Sequence, residues 1–530
     1  MQKVVSFKQN LDYYLRLIDT RSAYGDFLGA LDAGRRAIEN AKTRVDRESI
    51  NILIGQVYFE MGLYALSCEH FFRAVCIPET RASAFFGLGR NLVKMHNPKL
   101  ALEYFDATLS CGGTQDFSGA VLEWTYILRE ELGQAQNVQP VIAIAQNLVK
   151  MKKYEQAIEL LYPLGYKDIE LQVYLADVLI LSKKYDKARE ILFSILRENP
   201  SNAHAILVLC SLCYAEGDMC SLDINLQKLS NISLNFAQFV LAGNLFCSIG
   251  DFENGVKMYT QAISLDEYNT KVLLYQAIAY FNMGETQEAL YSIGRARWVD
   301  IENPVLNIYY DIFSRNLVEP PLAIITQIPA KLAQSKLNNI FGAINANFCD
   351  NFQRSLLLAD DIEWAMTTKD LALTEKLSQA LSKCKKKKAL KMYKHFMLSV
   401  RLNKEQKFYL TKYALKNETF KEIDLTADYR YRSLSIKIPT YCKQNDALKN
   451  GYINAMSYAL INGLDVDFSQ ISQKITKNIE KNSNLTNFDE NLYACLYFCR
   501  NAQTLNQACL YFGVDENNVL RVVNDFELLI

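Results

Sequence analysis

Small residues return along the first half of the chain at a nearly fixed interval: Gly55, Gly89, Ala145, Ala176, Cys210, Gly243 and Ala277, spaced by 34, 56, 31, 34, 33 and 34 residues. Three residues after each stands an apolar or bulky side chain (Tyr58, Leu92, Leu148, Leu179, Cys213, Phe246, Tyr280), one turn further along the same helix. Seven after it, Gly62, Gly217, Gly250 and Gly284 mark a turn, because glycine takes the left-handed backbone that ends a helix. Twelve after it the residue is mostly small (Ser67, Ala101, Ala157, Ala188, Gly255, Ala289), and four further on mostly large (Phe71, Phe105, Leu161, Leu192, Tyr259, Ile293). The pattern predicts a run of antiparallel helical hairpins whose helices approach closely through small faces.

This pattern resembles the tetratricopeptide repeat family, whose unit is a 34-residue helix-turn-helix. The resemblance covers roughly residues 20–315. Gly25, Phe27, Ala30 and Ala37 form a partial first copy, and Leu222 stands where the copy anchored at Cys210 should be small, which predicts a displaced second helix there. The 56-residue interval leaves a degenerate helical stretch between Thr114 and Asn137. The implied fold class is all-α: a TPR-like α-solenoid, a right-handed superhelix over residues 1–315, followed by a smaller all-helical C-terminal region. Pro320, Pro321 and Pro329 place a boundary after the repeats. A helical middle region is expected over 316–440 and a C-terminal helical domain over 441–530.

In this family the first helix of each unit lines an inner groove, so the resemblance implies a peptide- or protein-binding wall. Three positions before the anchors stand Ile52, Phe86, Val173 and Leu207, apolar where carboxylate-clamping members carry polar residues. Gln56, Phe59, Arg90, Tyr214, Asn244 and Phe281 complete the candidate wall. It suits a protein or peptide partner with an apolar or amphipathic segment. The alternative is that another part of this chain fills the groove.

Composition sharpens this in two places. Half of the 530 residues are hydrophobic and only 10 are proline, which excludes a disordered chain, and the formal charge of zero gives no global attraction to nucleic acid or membrane. The first nineteen residues lack the apolar block of a signal peptide, and no run reaches the roughly 18 apolar residues of a membrane span, so a cytoplasmic protein with no membrane partner is expected. Thirteen cysteines scattered through helical segments suit reduced thiols. The balance is locally broken, however. Between Glu375 and Lys421, thirteen lysines and one arginine face three glutamates, a net of +11. Lys385, Lys386, Lys387, Lys388 and Lys391 at its centre form either a solvated helix face or a contact for an acidic partner or nucleic acid. The alternation from Tyr429 to Ile438 has a strand period; an extended connector over helices is expected there in preference to a sheet.

At the C-terminus, Thr504, Ala508, Gly513, Val514 and Val519 resemble a bacterial helix-turn-helix. As a DNA reader it would present Asn517, Asn518 and Arg521 to the major groove. Asp515, Glu516, Asp525 and Glu527 surround that single arginine, so a structural helical unit is favoured. Cys210, Cys213, Cys220 and His204 mimic zinc-ligand spacing, but the repeat register places the first two at packing positions. Asp360, Asp361 and Glu363 suit a helix start, and no catalytic motif or phosphate loop is present. No enzymatic activity, cofactor or metal is expected. The leading expectation is a scaffold for other proteins; the alternative is a regulatory DNA-binding protein with a repeat sensor.

Overall fold

The structure is a computed structural model that describes residues 11–111, 152–163, 168–229, 232–325, 327–435, 446–466, 468–481 and 489–525, with single positions between 120 and 149. The degenerate stretch expected between Thr114 and Asn137 lies almost wholly outside the described residues. Two compact units emerge: Met1–Leu128 with Lys331–Ile530, and Arg129–Ala330. They cut across the three segments expected from the sequence, because the first hairpins pack with the C-terminal part of the chain.

In the first unit three hairpins come first: α1 (Leu11–Ala23) with α2 (Phe27–Asn40), α3 (Arg44–Glu60) with α4 (Tyr64–Val75), and α5 (Pro78–Lys94) with α6 (Pro98–Ser110). The second unit continues with α7 (Tyr154–Leu161), the pairs α8 (Ile169–Leu181) and α9 (Tyr185–Glu198), α10 (Ala203–Glu216) and α11 (Met219–Leu229), α12 (Phe236–Ser248) and α13 (Phe252–Leu265), α14 (Thr270–Asn282) and α15 (Thr286–Val299), and then α16 (Pro304–Arg315). Side chains start these helices where the sequence offers them. Asp26, Asn97, Asp168, Asn202, Asp251 and Asn269 each accept a first-turn N–H, and Thr43–Asp46 and Asn235–Gln238 form capping boxes.

The hairpins close on a size match. The ring sixteen residues after an anchor sits against it, so a Cβ added at Gly89 would stand 2.5 Å from Phe105, and one at Gly243 would stand 2.5 Å from Tyr259. Where the anchor is Ala145, Ala176 or Ala277, the partner shrinks to Leu161, Leu192 or Ile293, and all six are buried. The copy with Leu222 is adjusted differently: α11 still packs on α10, Leu222 is fully buried, and Leu226 is left only partly buried. The turns are equally regular. Seven residues after every anchor the backbone is left-handed, at Gly62, Gly217, Gly250 and Gly284 but also at His96, Lys152 and Lys183.

The rest of the first unit consists of α17 (Ala330–Asn345), α18 (Phe348–Arg354), α19 (Leu356–Thr367), α20 (Leu371–Lys383), α21 (Lys387–Leu398), α22 (Lys404–Lys416), a β-hairpin, and α23 (Asp446–Asn462), α24 (Phe468–Lys481), α25 (Glu490–Leu496), α26 (Ala502–Phe512) and α27 (Glu516–Asp525). The hairpin amends the all-helical expectation. β1 (Glu422–Ala427) pairs antiparallel with β2 (Arg430–Ser435), from Glu422 opposite Ser435 to Ala427 opposite Arg430. Residues 430–435 of the alternating segment are therefore a paired strand and not a lone connector; 436–438 lie outside the described residues. Its turn residues Asp428 and Tyr429 both have positive φ, 47° and 60°, the two-residue geometry that matches strand twist. No described helix is long and apolar enough to cross a membrane.

The hairpin is clasped onto the second helices of the early repeats. The Tyr104 hydroxyl donates to the Tyr429 carbonyl at 2.7 Å and accepts from the Tyr431 N–H at 2.8 Å. Arg430 meets Glu103 through two bonds of 3.1 and 2.7 Å, and Arg401 reaches the buried Glu69 at 3.2 Å. Val400, Tyr429 and Tyr431 pack against the core cluster that contains Phe72, Tyr104 and Phe105.

The size match predicts a compensation. Gly89→Ala should destabilise the protein by about 1–3 kcal/mol through overpacking, and adding Phe105→Leu should recover most of that loss. Thermal denaturation of the two variants checks it; equal losses in single and double variants would refute the match.

Candidate protein-binding walls

The first-helix face of the early hairpins carries a compact polar-aromatic cluster. Arg90, on α5, places its guanidinium carbon 4.0 Å from the Phe59 ring centre and 5.8 Å from that of Phe86. One of its N–H groups donates to the Gln56 carboxamide oxygen at 3.2 Å, and the Gln56 amide in turn donates to Glu60. Gln56, Phe59, Phe86 and Arg90 are all half-buried, and Ile52 packs below them against the core. Partial burial lowers the Arg90 pKa, with Glu60 opposing, yet a guanidinium stays charged at any ordinary pH. The cluster thus offers aromatic surface and a positive charge side by side.

The second unit treats the expected wall differently. Val173, Leu207 and Phe281 are 0%, 2% and 4% exposed, so they belong to the core and not to a groove. Phe281 faces the next hairpin, where it meets the Phe313 ring at 4.8 Å. Tyr214 is 41% exposed, with its hydroxyl donating to the Ser248 carbonyl of the next first helix at 2.7 Å. Asn244 accepts from the Tyr259 hydroxyl at 2.8 Å. Further along, Asn282 and Tyr309 hold the chain's own segment around Leu322 and Gln327. In the sequence Asn282 carries no binding signal, because an asparagine at the end of a helix reads only as a stop.

The lysine run divides. Lys385, Lys386, Lys387 and Lys391 are exposed. Lys388 is committed to structure: its ammonium donates to the Phe352 and Ser355 carbonyls at 2.9 and 3.0 Å and lies 4.7 Å from the Phe352 ring centre. It closes the end of α18, so it is withdrawn from the candidate contact. At the C-terminus α26 and α27 flank Gly513, whose φ is 68°, with Ala508 and Val519 buried between them. Asn517, Asn518 and Arg521 are exposed, but Asp515 occupies Asn517, accepting from its backbone N–H at 3.2 Å. Glu527 lies outside the described residues.

Cys210 and Cys213 are buried at their packing positions, and burial pushes the Cys210 thiol up to about 12. His204 pairs with Glu170 at 2.9 Å. Asp361 is buried against Lys336 at 2.5 Å, joining α19 to α17.

Comparison with known proteins returns no matching family model and no matching curated protein. Solved structures similar to the chain include a thermophilic TPR protein of Thermus thermophilus, 18% identical over 33% of this chain and 98% of its own, with a TM-score of 0.29. A tetratricopeptide repeat protein from Parabacteroides merdae is 10% identical over 57% of this chain and 98% of its own, with a TM-score of 0.24. A chain of the APC/C hetero-tetramer Cut9-Hcn1 is 11% identical over 90% of this chain and 95% of its own, with a TM-score of 0.29. Likenesses this distant transfer no function. The fold stands on the chain's own repeating hairpins.

One buried amine near the clasp has a measurable consequence. Lys407 of α22 is fully buried and donates to the Phe396 and Met397 carbonyls at 2.6 and 2.5 Å, which end α21. Burial pushes its pKa down to about 7 from 10.5, with the Glu69 carboxylate opposing. The unfolded chain therefore binds more protons than the folded one between these values, and stability rises with pH across that window. Chemical denaturation at pH 7 and pH 8.5 should show a gain in the native protein that is smaller in Lys407→Met; identical pH slopes would refute it.

Proposed function

We propose that this protein is a non-catalytic scaffold that holds a segment of another protein against the first-helix wall at Gln56, Phe59, Phe86 and Arg90. The observation that carries this reading is the half-exposed Arg90 stacked over Phe59. Arginine and aromatic rings presented together are the residue types that dominate binding energy at protein interfaces. An engaged segment would cover the rings with apolar side chains and offer the guanidinium a carboxylate or main-chain carbonyl.

The packing of the first unit supports the choice of face. Its second-helix side is covered where the β-hairpin meets Glu103 and Tyr104, whereas Gln56, Phe59, Phe86 and Arg90 on the first-helix side keep part of their surface exposed. The exposed Lys385, Lys386, Lys387 and Lys391 would add long-range attraction for a partner with acidic residues, an effect that weakens with salt.

Selection of a random peptide display library on the full chain tests the wall. Peptides enriched on the native protein should bind Phe59→Ala/Arg90→Ala at least tenfold more weakly, about 1.4 kcal/mol. Unchanged affinity in a variant with native circular dichroism would overturn the assignment.

A further inference from the structure

Helix α16 ends at Arg315 and α17 begins at Ala330, and the described residues between them form neither helix nor strand. Connections of this length inside compact folds are uncommon and are usually functional or linkers. This one lies across two first helices. Asn282, the last residue of α14, donates through its carboxamide to the Leu322 carbonyl at 2.8 Å and accepts from the Leu322 N–H at 2.6 Å. Tyr309, on α16, donates its hydroxyl to the Gln327 carbonyl at 2.7 Å. Leu322 and Ile328 are buried, whereas Pro320, Pro321, Ala323 and Ile325 are exposed.

A carboxamide carries a donor and an acceptor side by side, so it can satisfy both main-chain groups of one residue. Such a grip is indifferent to side-chain identity, and burial of the leucine supplies the selectivity. The backbone–backbone bonds described for the segment are local, Leu317 N–H to the Ile312 carbonyl and Ile325 N–H to the Ala323 carbonyl. What fixes it to the wall is therefore the chemistry of peptide recognition, applied to the chain itself.

We propose that the wall formed by Asn282 and Tyr309 is a second binding site, specific for an aliphatic segment gripped through its main chain. Residues 317–329 occupy it in cis, and a partner segment of the same chemistry takes their place when they are displaced. The proposal deepens the scaffold reading on which it rests, at residues distinct from Phe59 and Arg90. Its ligand is defined by three features: a main-chain N–H and C=O free to pair with Asn282, an aliphatic side chain in the place of Leu322, and a carbonyl five residues on for Tyr309.

A fluorescent synthetic peptide with the sequence of residues 317–329 is titrated into the full chain. Leu322→Asp should free the resident segment, shown by faster thermolysin cleavage within it. That variant should bind the peptide at least tenfold more tightly than the native protein, and adding Asn282→Ala should abolish the gain. Should Leu322→Asp lose its native circular dichroism, Leu322→Ala takes its place. A folded variant whose segment is freed but whose peptide affinity equals that of the native protein overturns the proposal, as does a segment that stays protected in both variants. Phe59→Ala/Arg90→Ala should leave this signal unchanged, so failure here and failure of the first wall are separately visible.

Discussion

How closely the two helices of each hairpin approach is set by two side chains sixteen residues apart, one small and one large. Gly89 receives the Phe105 ring and Gly243 the Tyr259 ring, whereas Ala176 and Ala277 sit opposite the smaller Leu192 and Ile293. Dense packing makes these choices dependent: a methyl group added on one side needs room removed on the other. This spacing brings the two helices of one hairpin together, and what each first helix then meets on its other side differs from copy to copy. In the α3–α5 pair Phe59 remains half-buried under Arg90, while its counterpart Phe281 is driven into the core against Phe313.

Left-handed backbone is not confined to glycine in this chain. His96, Lys152 and Lys183 hold the left-handed turn that glycine fills in the other copies, at a cost of roughly 1 kcal/mol each or somewhat more. Tyr429 is in the same region at the β-hairpin turn, and there the compensation is visible. One hydroxyl, that of Tyr104, takes both the Tyr429 carbonyl and the Tyr431 N–H, and the adjoining rings enter the core of the early repeats. The turn conformation and the docking of the C-terminal region are thus one event: without Tyr104 beneath it, an Asp-Tyr turn has little to recommend it.

That coupling also explains what sequence patterning could and could not reveal. The 34-residue period, the small and large positions and the glycine turns were legible because each expresses a contact within one hairpin. The strand period of Tyr429–Ile438 was legible too, but its partner Glu422–Ala427 was not, because its turn lacks the Asn-Gly or Asp-Gly signal. The wall was legible only in part. Gln56, Phe59, Phe86 and Arg90 share a face by helical period, but the burial of Val173, Leu207 and Phe281 depends on how neighbouring hairpins stack. Lys388 and Lys407 looked like the other lysines of a basic run. Only the fold reveals that one closes α18 and that the other lies wholly inside, bonded to the end of α21.

The two faces of the hairpins are therefore used unequally. In the first unit the second-helix face is occupied through Tyr104, Glu103 and Glu69, which meet the β-hairpin and Arg401 through hydrogen bonds and ion pairs. Among the described residues the first-helix face keeps a guanidinium bonded to the Gln56 carboxamide and two half-buried rings, groups that would lose little water and gain stacking and hydrogen bonds under the proposed partner. In the second unit the corresponding face at Asn282 is met by the segment around Leu322 through its main chain. Because a main-chain grip asks only for a free N–H and C=O and one aliphatic side chain, it is a mode of holding that a resident segment and a proposed incoming one can share.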